Sequence, residues 1–279
     1  MNMKVLKVIN NNIVKSLDSE NNEVIVVGRG LGFKKNPGDH ISSELIERVY
    51  TSKNNKESNK LTELLEKVPL EYIQVSNEII SFAKLSLGKK LNDNIYLTLT
   101  DHISYALERS DKDMVLKNAL LWEIKRFYSH EFLIGKEALA IINKKLGVQL
   151  PEDEAGFIAL HLVNASMNSK SMGETTDMTR MIQDILNIVK YHFRMELDEY
   201  TVHYERFITH LKFFVQRVFQ GAELKGEEKS FLFALKEQFK EEYLCALKIR
   251  EYVLKEFNRD ISEDEMIYLT VHIKRVTRE

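Results

Sequence analysis

A duplicated helical segment is the feature that most constrains this chain. From about residue 120 to residue 161, a constant offset of 111 aligns one stretch with another without a gap. Lys125 falls on Lys236, Glu131-Phe132-Leu133 on Glu242-Tyr243-Leu244, and Phe157 on Tyr268. Glu152-Asp153-Glu154 leads to His161, and Glu263-Asp264-Glu265 leads to His272 with the same spacing. Upstream, Asp101-His102 is matched by Thr209-His210 at an offset of 108, a slip of three residues that a difference in loop length supplies. The histidines of a pair are 59 residues apart in one copy and 62 in the other. A repeated helical unit needs only its apolar pattern to persist. A titratable group kept twice in each copy points to work for the imidazole.

Length and composition bound the rest. A chain of 279 residues is long enough for two or three domains, each with its own core. With 44% hydrophobic and 29% charged residues and three prolines it has the make-up of a soluble globular protein. No apolar run approaches the roughly 20 residues that span a bilayer, and Met1 to Asn12 lacks the apolar core of a secretory signal. The single Cys245 excludes an intrachain disulfide framework and a cysteine-rich zinc site. A cytoplasmic protein with no direct membrane insertion is expected. Residues 1–60 hold ten Lys/Arg against seven Asp/Glu, while the remainder holds thirty against thirty-five. The mildly basic N-terminal piece permits a nucleic-acid partner without demanding one.

Residues 3–33 read as β structure. Lys4 to Ile9, Ile13 to Leu17 and Glu23 to Val27 are short runs separated by the turn signals Asn10-Asn11-Asn12 and Asp18 to Asn22. Gly28-Arg29-Gly30 predicts a tight bend, Leu31 to Lys34 a fourth strand, and Asn36-Pro37-Gly38-Asp39 its end. A sheet of roughly 55 residues is marginal alone, so dimerisation is a reasonable way to complete its core. Ser52 to Lys60 is polar and reads as a hinge or linker. Beyond it, apolar residues recur at spacings of three and four through 61–86, 95–109, 115–128, 131–147 and 152–166. A second polar gap, Asn168 to Asp177, precedes another helical block over 178–279.

Pro151 falls on Ser262, and both are helix-start residues, proline in the first turn and serine as a cap. Ser262-Glu263-Asp264-Glu265 has the form of a capping box, and the acids suit a positive helix N-terminus. His161 and His272 then sit about two turns into equivalent helices. Imidazole supports metal ligation, acid–base catalysis and acceptance of a phosphoryl group on a ring nitrogen. No HExxH-type spacing favours a metal, and no nucleophile elbow favours hydrolysis. Reversible phosphorylation suits a duplicated switch, since each site adds roughly 1.5 to 2 negative charges. The plainer alternative is a packed histidine, because His161 shares a stripe with Phe157, Ile158 and Ala165, and His272 with Tyr268, Leu269 and Val276. His40, His130, His192 and His203 do not recur and read as structural.

In the N-terminal piece, Asn can bond base edges or 2′-hydroxyls, Arg can stack or meet phosphate, and Phe can stack. Hairpin turns with an ordinary core Phe fit the same residues. The glycines at 28, 30 and 32 do not make a dinucleotide loop.

Lys7-Val8-Ile9-Asn10-Asn11-Asn12, then Gly28-Arg29-Gly30-Leu31-Gly32-Phe33, followed by two histidine-bearing helical blocks, resembles the BglG/SacY/LicT family of transcriptional antiterminators. The stretches Glu152 to His161 and Leu120-Leu121-Trp122-Glu123 resemble its LicT-type members, and the likeness runs the length of the chain. It implies a multidomain fold: a small antiparallel β-sheet RNA-binding domain followed by two all-α helical-bundle regulation domains. The expected bounds are 1–57 for a co-antiterminator RNA-binding domain, 58–66 for a linker, and 67–170 and 171–279 for two domains regulated by the sugar phosphotransferase system. The implied function is to hold an RNA hairpin in a nascent leader transcript so that an overlapping terminator cannot form. A sugar utilisation operon would follow, with β-glucosides favoured.

By the same resemblance Lys7, Asn12, Gly28, Arg29 and Phe33 fall on RNA-contacting positions, and His102, His161, His210 and His272 on phosphorylation sites. The implied partners are the leader RNA, the phosphocarrier HPr, a sugar-specific enzyme II and a second copy of the chain. HPr acting on the second domain would activate, and enzyme II-dependent phosphorylation of the first would inactivate. No cofactor, metal or catalytic residue is implied, and the protein would not be an enzyme. The competing reading is a DNA-binding activator with the same regulation domains, which would need a basic helix-turn-helix where residues 1–35 read as strands.

Overall fold

The computed structural model describes residues 3–51, 55–167, 169, 171–222 and 237–278. The chain divides into two compact units. One comprises Met1–Asn118 and His130–Asn168, the other Ala119–Ser129 and Ser169–Glu279.

The first unit opens with a four-stranded antiparallel sheet of β1 (Lys7–Asn10), β2 (Ile13–Leu17), β3 (Glu23–Val27) and β4 (Arg48–Thr51), paired in chain order. Register sets its two faces. Val14 pairs with Val8 and Val26, and Val26 with Val49, so this valine row lies on one face. That row joins Met3, Val5, Val24, Leu31 and Ile41 in a small core. Ile25 pairs with Tyr50 on the other face. Ile13, Ile25, Val27 and Tyr50 are buried there among Leu61, Leu65, Ile73, Ile79 and Ile80 of the helices that follow. In this structure the cover for the sheet's second face therefore comes from its own chain.

The expected fourth strand at Leu31 to Lys34 is a run of turns instead. Leu31 N–H donates to Gly28 O, Phe33 N–H to Gly30 O and Lys35 N–H to Gly32 O, each three residues back. Gly30 and Lys34 have φ of +69° and +54°, values an extended strand cannot hold. The fourth place in the sheet is taken by β4.

Helices α1 (Asn55–Lys67), α2 (Leu70–Leu87), α3 (Ile95–Ser110), α5 (Ser129–Leu146) and α6 (Glu152–Met167) complete this unit, and α4 (Leu121–Phe127) belongs to the other. Of the polar run read as a linker, residues 52–54 lie outside the described residues, and from Asn55 onward the chain is helical. The single apolar stripe over 61–86 is broken at Pro69, whose φ/ψ of −55°/143° is extended and which precedes the first turn of α2. Gly88 ends α2 in the left-handed region at φ +59°.

The second unit is built from α7 (Met172–Phe193), α8 (Val202–Gln220), α9 (Lys240–Phe257) and α10 (Glu263–Val276), with α4 packed on α7. Three of these four starts have a side-chain cap, and α9, which follows Phe239, has none. Ser171 Oγ accepts from Glu174 N–H, Thr201 Oγ1 from Tyr204 N–H, and Ser262 Oγ from Glu265 N–H. Of the polar gap Asn168 to Asp177, residues 168 and 170 lie outside the described residues, and α7 has begun by Met172. Lys236, the expected counterpart of Lys125, also lies outside them. Cys245 is a buried free thiol whose burial pushes its pKa up to about 12. Among the described residues no helix is long and apolar enough to cross a membrane.

Candidate functional sites

Two turns at one end of the sheet are tied into a single surface. Asn12 N–H donates to Asn10 Oδ1 at 2.9 Å, which closes the Asn10-Asn11-Asn12 turn. Asn12 Oδ1 then accepts from Gly30 N–H at 2.9 Å, while Gly28 N–H and Gly32 N–H donate to the carbonyls of Asn12 and Asn11. The glycines are required here. A Cβ on Gly28 would sit 1.7 Å from Leu45 O, and one on Gly32 would sit 2.3 Å from Asn10 O.

Gly28 is buried, so its part is to let backbones approach. The same bend leaves Arg29 exposed and Phe33 56% exposed, beside the Lys34 ammonium 5.4 Å from the Phe33 ring. The ring is kept in water beside cations and fills no core. Asn12, Gly28, Arg29 and Phe33 are thus assembled by one hydrogen-bonded pair of turns. Lys7 is exposed on β1, opposite Lys15. Two carboxylates hold Arg29: Glu47 Oε1 accepts from its N–H at 3.1 Å, and Glu71 Oε1 lies 3.5 Å from its guanidinium. Sequence reading missed both, since Glu71 is forty-two residues away on α2.

The histidines come together in the pairs expected. In the first unit, α3 and α6 bring the His102 and His161 rings to 4.9 Å. Glu154 sits beneath them, with Oε2 3.1 Å from His102 Nε2 and Oε1 2.5 Å from Arg109 Nη2. Burial alone would raise the Glu154 pKa, but His102 and Arg109 outweigh it and hold the carboxyl below its usual range. His161 is buried, and burial, aided by His102, pushes its pKa down to about 3. Its ring is neutral at pH 7.

In the second unit, α8 and α10 stack His210 on His272 with ring centroids 3.6 Å apart. Glu265 is here taken up by Arg217 through two bonds of 2.5 and 3.0 Å. His210 Nδ1 lies instead 2.6 Å from the Tyr268 hydroxyl. Burial, then Arg275, Arg217 and Arg206, lower the His210 pKa, and burial with His210 and Arg275 takes His272 down to about 4. His161, His210 and His272 are therefore neutral imidazoles with a lone pair, the form that can accept a phosphoryl group.

The repeated acids do more than favour helix starts. Ser262 caps α10, but the reciprocal half of the expected capping box is not made, because the Glu265 carboxylate points to Arg217. Asp153 accepts from Asn118 N–H at 2.8 Å and lies 3.4 Å from Lys117 Nζ. Sequence reading also missed Arg109 and Arg217. They stand 108 apart, the same offset as the upstream histidines, and each lies seven residues beyond its histidine, about two turns along the same helix face. That shared offset was the available signal. Of the remaining histidines, His40, His130 and His203 are exposed, and His192 Nε2 lies 3.7 Å from Glu241. Among the described residues no cluster of three or more His, Cys, Asp or Glu could hold a metal.

Comparison with known proteins agrees with this anatomy. Residues 3–59 match the CAT RNA binding domain, and residues 77–165 and 183–276 each match the PRD domain. The chain is 50% identical over 277 residues to the transcription antiterminator LicT of Bacillus subtilis, covering 99% of this chain and 100% of that one. It is 44% identical over 277 residues to the beta-glucoside operon antiterminator of Dickeya chrysanthemi, covering 99% and 98%. The solved structure of GlcT CAT-PRDI superposes with a TM-score of 0.53 at 35% identity, over 60% of this chain and 99% of that one. The chain belongs to the BglG family of transcription antiterminators, with a CAT RNA-binding domain followed by two PRD domains.

Proposed function

We propose that this protein holds a hairpin in a nascent leader transcript, keeps the overlapping terminator from forming, and does so under control of phosphotransferase-system phosphorylation. One observation carries the RNA side: Asn12 Oδ1 locks the Gly28–Phe33 bend to the Asn10–Asn12 turn and leaves Arg29 and Phe33 exposed together. Asn12, Arg29 and Phe33 meet the RNA, Lys7 meets a phosphate, and Gly28 shapes the turn. His102 and His161 form one phosphoryl input, dependent on a sugar-specific enzyme II. His210 and His272 form the other, served by HPr. The domains run over 1–57, 67–170 and 171–279. The protein works in the cytoplasm as a homodimer, catalyses no reaction of its own, and serves sugar utilisation, with β-glucosides the first class to test.

The experiment is binding of the leader hairpin by gel shift, with read-through of a leader–reporter fusion. Phe33→Ala and Arg29→Ala each lower affinity by about 1–3 kcal/mol, the worth of one stacked base. His210→Ala/His272→Ala abolishes HPr-dependent activation. A double variant activated as well as wild type would sink the assignment of the second input.

A further inference from the structure

The geometry assigns to Tyr268 the positioning of His210: its hydroxyl holds the proton on Nδ1, so that a phosphoryl group enters at Nε2. The inference rests on the reading of His210 as a phosphoryl acceptor and deepens it.

The Tyr268 hydroxyl faces two atoms of His210, and its oxygen also accepts from the Arg217 guanidinium. It lies 2.6 Å from His210 Nδ1 and donates to the His210 backbone carbonyl at 3.3 Å. A carbonyl can only accept, and a phenol has one proton to give. With that proton on the carbonyl, the phenol oxygen accepts from Nδ1–H. The nucleophilic lone pair is then on Nε2. Burial keeps Tyr268 a neutral phenol. Arg275, Arg217 and Arg206 act on His210 from α10 and α8, the charges a phosphoryl group needs around it.

The first pair is built otherwise. Phe157 stands at the position of Tyr268 and has no hydroxyl, and a carboxylate oxygen of Glu154 lies at the Nε2 edge of His102. That oxygen is 3.1 Å away but makes no hydrogen bond to Nε2, so the first ring has neither a phenol nor a bond at Nε2 to fix its proton. The two domains therefore differ in what faces the upstream imidazole: a phenol at Nδ1 in the second, a carboxylate near Nε2 in the first.

The transfer balances simply. The Nε2 lone pair of His210 attacks phosphorus on a donor phosphoramide. The donor P–N bond breaks, its electron pair returns to the nitrogen of a donor group that is already protonated and so leaves neutral, and the Nδ1 proton stays with His210 against Tyr268, giving a phosphoimidazolium.

The test is long-range 1H–15N correlation of the full chain labelled with 15N-histidine, with His210 assigned by loss of its signals in His210→Gln. Wild type is expected to show His210 protonated on Nδ1, and Tyr268→Phe to lose that preference. After treatment with phosphoramidate, which needs no docking surface, phosphorus is expected on Nε2 in wild type. Labelling there should be about fivefold slower in Tyr268→Phe, the loss of one hydrogen bond. Protonation of wild-type His210 on Nε2, phosphorus on Nδ1, or an unchanged tautomer in Tyr268→Phe would overturn the inference. The wild-type spectrum decides even if the variant fails to fold. Failure of HPr to label a His210 that shows the Nδ1–H form and takes phosphoramidate at Nε2 supports the role of Tyr268 and defeats the proposed function instead.

Discussion

The two histidine pairs share a scaffold and differ in charge. Each is carried by two packed helices, each has a glutamate as the third residue of the downstream helix, and each glutamate meets an arginine from the partner helix. In the first pair that carboxylate also reaches His102 at 3.1 Å. In the second it is spent on a two-bond fork with Arg217, and His210 sees arginines and a phenol. Duplication kept the ion pair that locks the helices and altered the charge that an incoming phosphoryl group would meet. The lesson is that matched motifs can hold sites of opposite electrostatic preference.

The largest expected difference follows from burial of the ion pairs. Arg109 is 8% exposed at its side chain, so Glu154→Ala strands a buried cation and should cost about 3–5 kcal/mol. Arg217 is 20% exposed and can turn to water, so Glu265→Ala should cost about half as much. Calorimetric unfolding of the two variants checks this, and equal losses would break the comparison.

Acid should separate the sites next. Burial holds His161 and His272 neutral, while the unfolded chain takes up protons near pH 6.5. Below about pH 6.5 the unfolded state binds more protons, so stability falls as pH falls. Each histidine contributes about 2 kcal/mol of that loss between pH 6.5 and 5. The second unit's share should level off near pH 4, and the first unit's should continue toward pH 3. Urea midpoints at successive pH values test the sign, and midpoints that rise on acidification would contradict neutral buried rings.

Phosphoryl uptake should then favour the second pair. A carboxylate 3.1 Å from His102 repels the arriving anion, whereas cations surround His210. Phosphoramidate should label His210 at least about tenfold faster than His102, and Glu154→Gln should narrow the gap. Equal rates in wild type would mean that other charges cancel the difference.

How much of this was legible in the sequence depends on how local each cause is. Strands Ile13–Leu17 and Glu23–Val27, and the starts of α6 and α10, are written in neighbouring residues. The pairing of histidines came from the repeat, which is long-range information in local form. Leu31–Lys34 misled because its apolar residues looked like a strand, while Gly30 and Lys34 take left-handed φ in a bend held by the Asn12 side chain, 18 residues upstream of Gly30, and by the Asn11 and Asn12 carbonyls. The break at Pro69 was visible but overridden by an apolar stripe that ran through it. Glu71 was not legible, because Arg29 is 42 residues away, and Arg109 and Arg217 were marked only by the offset they share with the upstream histidines, their glutamate partners being 45 and 48 residues away.

The smallest effect concerns the starts of the two equivalent helices. Ser262 Oγ accepts from Glu265 N–H at 3.3 Å, so Ser262→Ala should destabilise the second unit by about 1 kcal/mol. Pro151 occupies the same place in the first unit with no side-chain acceptor, and what it contributes there is a fixed φ. Pro151→Ala should cost less, and Pro151→Ser should be close to neutral because a serine cap replaces the lost rigidity. The variants bear on more than capping. Glu265 is held at its backbone by Ser262 and at its carboxylate by Arg217, so loosening the cap should also loosen the fork beside His210. Glu154 has its carboxylate tied to Arg109 and His102, and its N–H donates to the Pro151 carbonyl, an acceptor that survives substitution. Ser262→Ala should therefore slow labelling of His210 slightly, while Pro151→Ser leaves His102 as it was. A slowing at both pairs would mean that the helix starts are equivalent after all.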